Sequence, residues 1–365
     1  MLSIALIFTA LTLIQGVYWL LFWIGVQKES TEKNGATPGV SVVVCAHDEE
    51  ANLRALVPLL LQQQYPDFEV VVVNDRSNDG TYDYLRELAL IEPHLKVLQV
   101  DAKPDHINGK KFGLTLAIKA AKHEWVLFTD ADCRPASNNW LAEMASAMGP
   151  KTNFVLGYSP YQKSNGLLNA FIRFETEATA LQYLGLGQVG MPYMGVGRNL
   201  AYRKSMFLNN KGFNNILSIT GGDDDLLVNA WANAKNTSVV LTPHAITLSK
   251  PKTTWQAFFE QKRRHLSVGK FYKRTHKLVL GIFSLTWMAF WPMALALTLL
   301  GGWKVAAGGL LVRLITQTGA FQALHRRAGQ GLELPKTPFL DFIFGFYYLV
   351  AGIAALNSKK IRWKT

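Results

Sequence analysis

Residues 1–26 contain no charged side chain and run apolar for about the length a helix needs to cross a bilayer. Three further apolar stretches, about 278–302, 304–322 and 338–356, follow Lys277. Hydrophobic residues make up 49% of the 365, so the apolar content is concentrated at the two ends, and the region between has ordinary globular polarity. The expected plan is an N-terminal transmembrane anchor over 1–27, a globular domain over 37–277, membrane segments over 278–357 and a basic tail over 358–365. A cleaved signal peptide is the other reading of the first stretch. It lacks a basic n-region and a small-x-small cleavage site, and its apolar run is too long.

Lys28 and Lys33 follow the first stretch, and a basic run from Lys250 to Lys277 precedes the next, against a lone acid, Glu260. The positive-inside rule then puts both ends of the globular domain in the cytoplasm, in an integral protein of the plasma or inner membrane. Lys262 and Lys273 read as membrane-surface charge, and the net charge of +12 follows from such residues near an anionic leaflet. No aromatic-basic motif or basic recognition helix is present, so nucleic acid is not an expected partner. If all three late stretches span, the basic tail lies opposite the domain, against the same rule. One stretch is then re-entrant or interfacial, or Arg313, Gln317 and Asp341 face a bundle interior.

The middle region alternates. "VSVVVCA", "FEVVVVND", "LKVLQVD" and "EWVLFTDAD" are apolar runs of strand length, separated by the helical patterns "ANLRALVPLLLQQQ", "DGTYDYLRELALI" and "GKKFGLTLAIKAAK". Such alternation predicts β-α-β units and an α/β sheet covered on both faces. Sheets of this kind bind ligands beyond the carboxyl ends of their strands. His47, Asp48 and Glu49 stand there after the first strand, Asp75 after the second, and Asp130 and Asp132 after the fourth. Asp75 is one step too early to cap the helix near Thr81, a task for Ser77 or Asp79. It is therefore expected to be exposed to a ligand.

"FTDADC" carries more information. Two carboxylates one residue apart repel each other unless a cation stands beside them, and a hard divalent ion takes oxygen ligands. Bridged to a diphosphate, such an ion neutralises a leaving nucleotide. A solvated Asp-x-Asp turn is the plainer reading. Cys45 and Cys133, the two cysteines, are expected to stay reduced and buried. "GLGQVG" at 185–190 spells a dinucleotide fingerprint but follows a helical pattern rather than a strand, and reads as a loop. The helix pattern "LLNAFIRFETEATALQYL" is expected either to lie on the membrane near the acceptor or to pack on the sheet, the second being favoured.

"VSVVVCAHDEEANL", "YPDFEVVVVNDRSNDGT", "GKKFGL", "FTDADC", "GGDDDLLVN" and "QKRRH", in this order, resemble the membrane-bound family 2 glycosyltransferases. Relatives of that group include cellulose synthases, hyaluronan synthases and ceramide glucosyltransferases. The resemblance covers about 38–270. It implies a GT-A (Rossmann-like) nucleotide-sugar-binding domain with a mixed, mainly parallel sheet, flanked by transmembrane helices.

The resemblance also implies roles. Asp75 matches the aspartate that accepts hydrogen bonds from the nucleotide base, with Asp48 and Glu49 beside it at the donor. Lys110 matches a lysine suited to the nucleotide phosphates. Asp130 and Asp132 match a D-x-D pair whose second member usually holds Mn2+ or Mg2+. "TGGDDDLLVN" resembles the motif that supplies the general base, which is Asp223 in one register and Asp224 in the next. "QKRRH" resembles Q-x-x-R-W with His265 in place of Trp, and Gln261 and Arg264 fall on adjacent faces of one helical turn, where the guanidinium would reach the pyrophosphate. "GVGRNLAYR" resembles a Gly-rich turn on the acceptor side. The implied activity is inverting, metal-dependent transfer from a nucleotide-sugar donor, expected to be UDP-linked, to a lipid or membrane-held glycan at the cytoplasmic face, within cell envelope glycan or glycolipid biosynthesis. A processive polysaccharide synthase is one alternative, which the few spans and His265 disfavour. A non-catalytic scaffold of the same fold is another, which the filled acidic positions disfavour.

Overall fold

The computed structural model of the protein describes residues 1–29, 37–104, 107–217 and 219–356, with side chains as far as 348. Lys33 and the basic tail over 358–365 lie outside the described residues. In chain order, helix α1 (Leu2–Gln27) precedes β1 (Val40–Ala46), α2 (Glu50–Leu61), β2 (Phe68–Asp75), α3 (Thr81–Ala89), β3 (Leu95–Val100), α4 (Gly109–Ala120) and β4 (Trp125–Phe128). Next come β5 (Cys133–Pro135), α5 (Trp140–Ala145), β6 (Phe154–Leu156), α6 (Leu167–Gln188), β7 (Leu200–Arg203), α7 (Lys204–Asn209), α8 (Asp225–Trp231), β8 (Thr237–Val239) and β9 (Thr247–Ser249). Helices α9 (Trp255–Val268), α10 (Arg274–Leu299), α11 (Trp303–Ala328) and α12 (Thr337–Leu356) follow. The chain divides into two units, a helical one built from Met1–Glu29, Lys163–Val189 and the chain from Lys252 onward, and a sheet unit built from the rest of the described residues.

In the sheet unit seven strands lie in the order β3-β2-β1-β4-β7-β6-β8. Strand β7 runs antiparallel to both neighbours, and the other pairings are parallel. The continuous Val runs account for the centre of this sheet. Val42 to Val44 and Val70 to Val73 have no exposed surface, and each such side chain contributes about 1.5–3 kcal/mol by burial. Helix α4 lies close over the strands because Gly113 has no side chain. A Cβ there would stand 3.0 Å from Cys45 Sγ and 3.2 Å from Val73 Cγ1. The register pairs Ala46 with Asn74 and Val43 with Phe128. Strands β1 and β2 therefore end together and β4 ends three residues earlier beside β1, and the segments after all three emerge along the same edge.

The helical unit has its polar groups inside. Arg313 donates to Asp341 through Nε and Nη2, both at 2.8 Å, and through Nη1 to Gln15 Oε1 at 2.9 Å. Gln317 donates to Asp341 Oδ1 at 2.9 Å, and Gln15 Nε2 donates to Thr286 Oγ1 at 2.7 Å. These residues are buried, so the polar groups of the two late segments face a bundle interior, one of the arrangements that their sequence allowed. Leu6, Leu13, Val17 and Ile24 on α1, Leu278, Leu285 and Leu295 on α10, and Leu311 and Ile315 on α11 are exposed. Among the described residues, α1 and α10 are long and apolar enough to cross a membrane.

Helix α6 overturns one expectation. It packs within the helical unit, against α1, α11 and α12, rather than on the sheet. The reason is that it is buried almost all round, and such a helix needs partners on every side. Glu175 pairs with Lys262 of α9, and Glu177 with His325 of α11 at 2.7 Å. Where a Cβ at Gly25 would meet Gly185 O at 2.3 Å, two glycines let α1 and α6 touch backbone to backbone. "GLGQVG" is accordingly the last turn of α6 running into its C-terminal cap at Val189, not a loop. The contacts also divide the chain differently from the linear limit at 277, since 163–189 and 252–277 join the helical unit.

Candidate active site

Lys110, in the first turn of α4, places its Nζ 3.1 Å from Asp130 Oδ1 and 3.2 Å from Asp223 Oδ2. One ammonium thus connects the end of β4 with the acidic segment ahead of α8. The cleft around it is lined by Cys45, Thr129, Asp130, Gly197, Asp223 and Asp224 among others. Burial opposes the charge on Lys110, but Asp130, Asp223 and Asp224 outweigh it and hold its pKa well above the ordinary lysine range.

The two adjacent aspartates differ. Burial works against a charge on Asp223, yet Lys110 and Lys111 overcome it and keep its pKa low. Asp224 is pushed up by burial and by the charge of Asp223. Its Oδ2 accepts the Gly197 amide and its Oδ1 the Asp225 amide, both at 2.7 Å, so it caps α8 while facing the cleft.

Asp75 is not open as the sequence led us to expect. It is buried, and Arg76 Nε donates to its Oδ1 at 2.8 Å. Arg76 adopts a left-handed backbone, φ 55°, which folds its side chain back onto its neighbour. Gly109 closes over the pair, since a Cβ there would lie 2.5 Å from Asp75 Oδ2. Asp48 and Glu49 serve the same edge by joining loops. Asp48 Oδ1 accepts the Asn78 amide at 2.7 Å, and the Glu49 amide donates to Thr81 Oγ1 at 3.1 Å.

Asp130 and Asp132 are half-buried at the start of the segment leading to β5. Among the described residues no group of three or more His, Cys, Asp and Glu side chains is arranged to hold a metal. Two carboxylates at a strand end do match the usual set for Mg2+ or Mn2+, which keep one or two protein carboxylates and take further oxygens from substrate phosphates. Gln261, Arg264 and His265 stand on α9, in the helical unit, with His265 exposed and the other two half-buried. Lys262 between them is buried against Glu175, so it is not the surface charge expected of it.

Two residues escaped the sequence reading. Lys111 is fully buried, and its ammonium donates to three carbonyls, Ile216 O at 2.8 Å, Gly221 O at 2.6 Å and Ile219 O, clamping the segment ahead of the acidic triad. Its spacing from Leu114 and Ile118 along the buried face of α4 is the signal that could have found it. Arg198, in the Gly-rich turn after Gly197, is the other.

The family model described as Glycosyl transferase family 2 matches residues 41–207, and the one described as Glycosyl transferase family group 2 matches residues 125–352. Probable glycosyltransferase YdaM of Bacillus subtilis is 25% identical over 62% of this chain and 54% of its own length. The beta-monoglucosyldiacylglycerol synthase of Trichormus variabilis is 35% identical over 29% of this chain and 23% of its own. The chain thus spans about half of the first relative and a quarter of the second. The solved mannosyltransferase PcManGT from Pyrobaculum calidifontis, in complex with GDP-Man and Mn2+, superposes with a TM-score of 0.65 at 20% identity, over 98% of this chain and 99% of that one. At that identity the likeness is one of fold, and with the mixed sheet and its carboxyl-edge cleft it defines a GT-A protein. The chain belongs to glycosyl transferase family group 2, whose model covers more than half of it.

Proposed function

We propose that the chain is an inverting glycosyltransferase that moves a sugar from a nucleoside-diphosphate sugar to a lipid or membrane-held glycan at the cytoplasmic face. The observation that carries this reading is the Lys110 bridge between Asp130 and Asp223 in the cleft at the strands' carboxyl ends. Asp224 is the general base. A base acts best with a pKa near the working pH, and burial beside a charged neighbour raises Asp224 while Lys110 holds Asp223 low. Two backbone amides fix the carboxylate, each oxygen keeping a second lone pair for the acceptor hydroxyl. Asp75, released from Arg76, accepts from the nucleotide base. Asp130 and Asp132 would hold Mn2+ or Mg2+, which supplies charge neutralisation at the donor diphosphate.

The inside-out pattern of the helical unit, polar within and apolar without, supports its place in a membrane. The test is turnover of a panel of UDP- and GDP-linked sugars by the detergent-solubilised protein with Mn2+ or Mg2+. One donor should turn over, and EDTA should stop it. Full activity in EDTA would remove the metal from this reading, and no turnover of any donor would remove the reading itself.

A further inference from the structure

Arg198 follows Gly197, whose amide donates to Asp224, so it stands one residue from the contact that fixes the proposed base. Thr247 Oγ1 donates to its carbonyl at 2.8 Å and holds the backbone in place. Its guanidinium carbon lies 4.6 Å from the centre of the Tyr161 ring. A ring face covers one side of the guanidinium plane but leaves the N–H edge unsatisfied. That edge is the anomaly, because Nη1 is buried and has no hydrogen-bond partner among the described residues. Buried arginine N–H groups are normally paired, since water is no longer there to receive them. Burial also works against the charge, which the neighbouring carboxylates of Asp130 and Asp132 help to hold, so the side chain stays a cation.

A fixed, half-buried guanidinium with an unpaired Nη1 matches the planar, bidentate geometry of phosphate oxygens better than any neutral acceptor. Purely structural roles for Arg198 account for the stacking and for the carbonyl contact, and not for the unpaired edge. We propose that Arg198 binds a phosphate group of the substrate through this edge. The inference rests on the glycosyltransferase reading and adds to it a cation beyond Lys110. Its neighbours fit two sources of the same chemistry: Asp130 and Asp132 lie toward the donor's diphosphate, and the Gly197–Asp224 contact lies toward an acceptor carrying a phosphate headgroup.

The experiment titrates the full-length protein in detergent with UDP and GDP, each beside its parent nucleoside, and with mixed micelles containing phosphatidate or diacylglycerol. Wild type is compared with Arg198→Gln and Arg198→Lys. Arg198→Gln should weaken one of the phosphate ligands by roughly 10- to 100-fold and leave its phosphate-free counterpart unchanged. Arg198→Lys should fall between, because a point charge replaces a fork. Loss on the nucleoside diphosphate assigns the donor, and loss on phosphatidate assigns the acceptor. If Arg198→Gln does not fold, Arg198→Lys decides by the same titrations. Wild-type affinity for both phosphate ligands in the folded variants overturns the role of Arg198 alone. A wild-type protein that binds neither phosphate ligand overturns the glycosyltransferase reading with it.

Discussion

Lys110 Nζ stands 3.2 Å from Asp223 Oδ2. The pair ties the first turn of α4 to the acidic segment before α8, and the same ammonium reaches Asp130 at the end of β4. Without it, two half-buried carboxylates would face one another uncompensated.

Lys110→Met should therefore lower single-turnover transfer by roughly 10²- to 10³-fold. Asp223→Asn combined with it should cost less than the two single changes added together, because each single change leaves a partner charged and unpaired. Strict additivity of the two would show that the bridge carries no coupling.

The two acids should separate in kinetics. Asp224→Asn should cost about 10²- to 10⁴-fold in transfer while donor affinity stays near wild type. Asp75→Asn should act the other way, weakening the donor and sparing the chemical step. Titration of the donor beside single-turnover rates reads both, and an Asp224→Asn enzyme of wild-type rate would move the base to Asp223.

Lys111 should make stability and activity diverge with pH. Burial pushes its pKa down to about 8 from the ordinary 10.5, with Asp223, Asp224, Asp225 and Lys110 as its charged neighbours. Between those values the unfolded chain binds a proton that the folded chain has released, so unfolding free energy rises with pH. Transfer should fall over the same window, since a neutral amine has two protons for three carbonyls and the clamp on 216–221 loosens. Denaturation midpoints and initial rates compared at pH 7.5 and 9.5 test this; rates that hold steady while stability climbs would detach the clamp from catalysis.

Within the helical unit, Arg313→Leu alone should destabilise the detergent-solubilised protein by about 3–5 kcal/mol, because Asp341 is left buried and charged. Adding Asp341→Leu should recover much of that loss. Thermal unfolding of the three variants measures it, and a double variant as weak as the single would assign the loss to packing instead.

The alternating strands and the order of the acidic motifs were legible because both are local: a run of valines needs no partner to declare itself, and Asp130 and Asp132 follow directly from the end of theirs. What escaped was non-local. Nothing beside Asp75 in the sequence says that Arg76 will turn left-handed and fold back on it. The surroundings of α6 were illegible for the same reason, since Glu175 finds its lysine on α9 and Glu177 its histidine on α11. Lys111 was hidden by its neighbour, the family-like Lys110, and by the rarity of fully buried lysines.

The glycine contact between α1 and α6 has a consequence for the growing chain. Gly25 leaves the ribosome 160 residues before Gly185, roughly ten to thirty seconds at ordinary elongation rates. Through that interval α1 presents a bare backbone surface at Gly25 whose partner Gly185 has not been made, while β1 to β6 emerge and can begin to pair. The nascent protein thus begins its sheet while the bundle is unfinished. A substitution such as Gly25→Leu should then show itself first as failed assembly during synthesis, in low yield and turnover by quality-control proteases, before any assay of the mature enzyme.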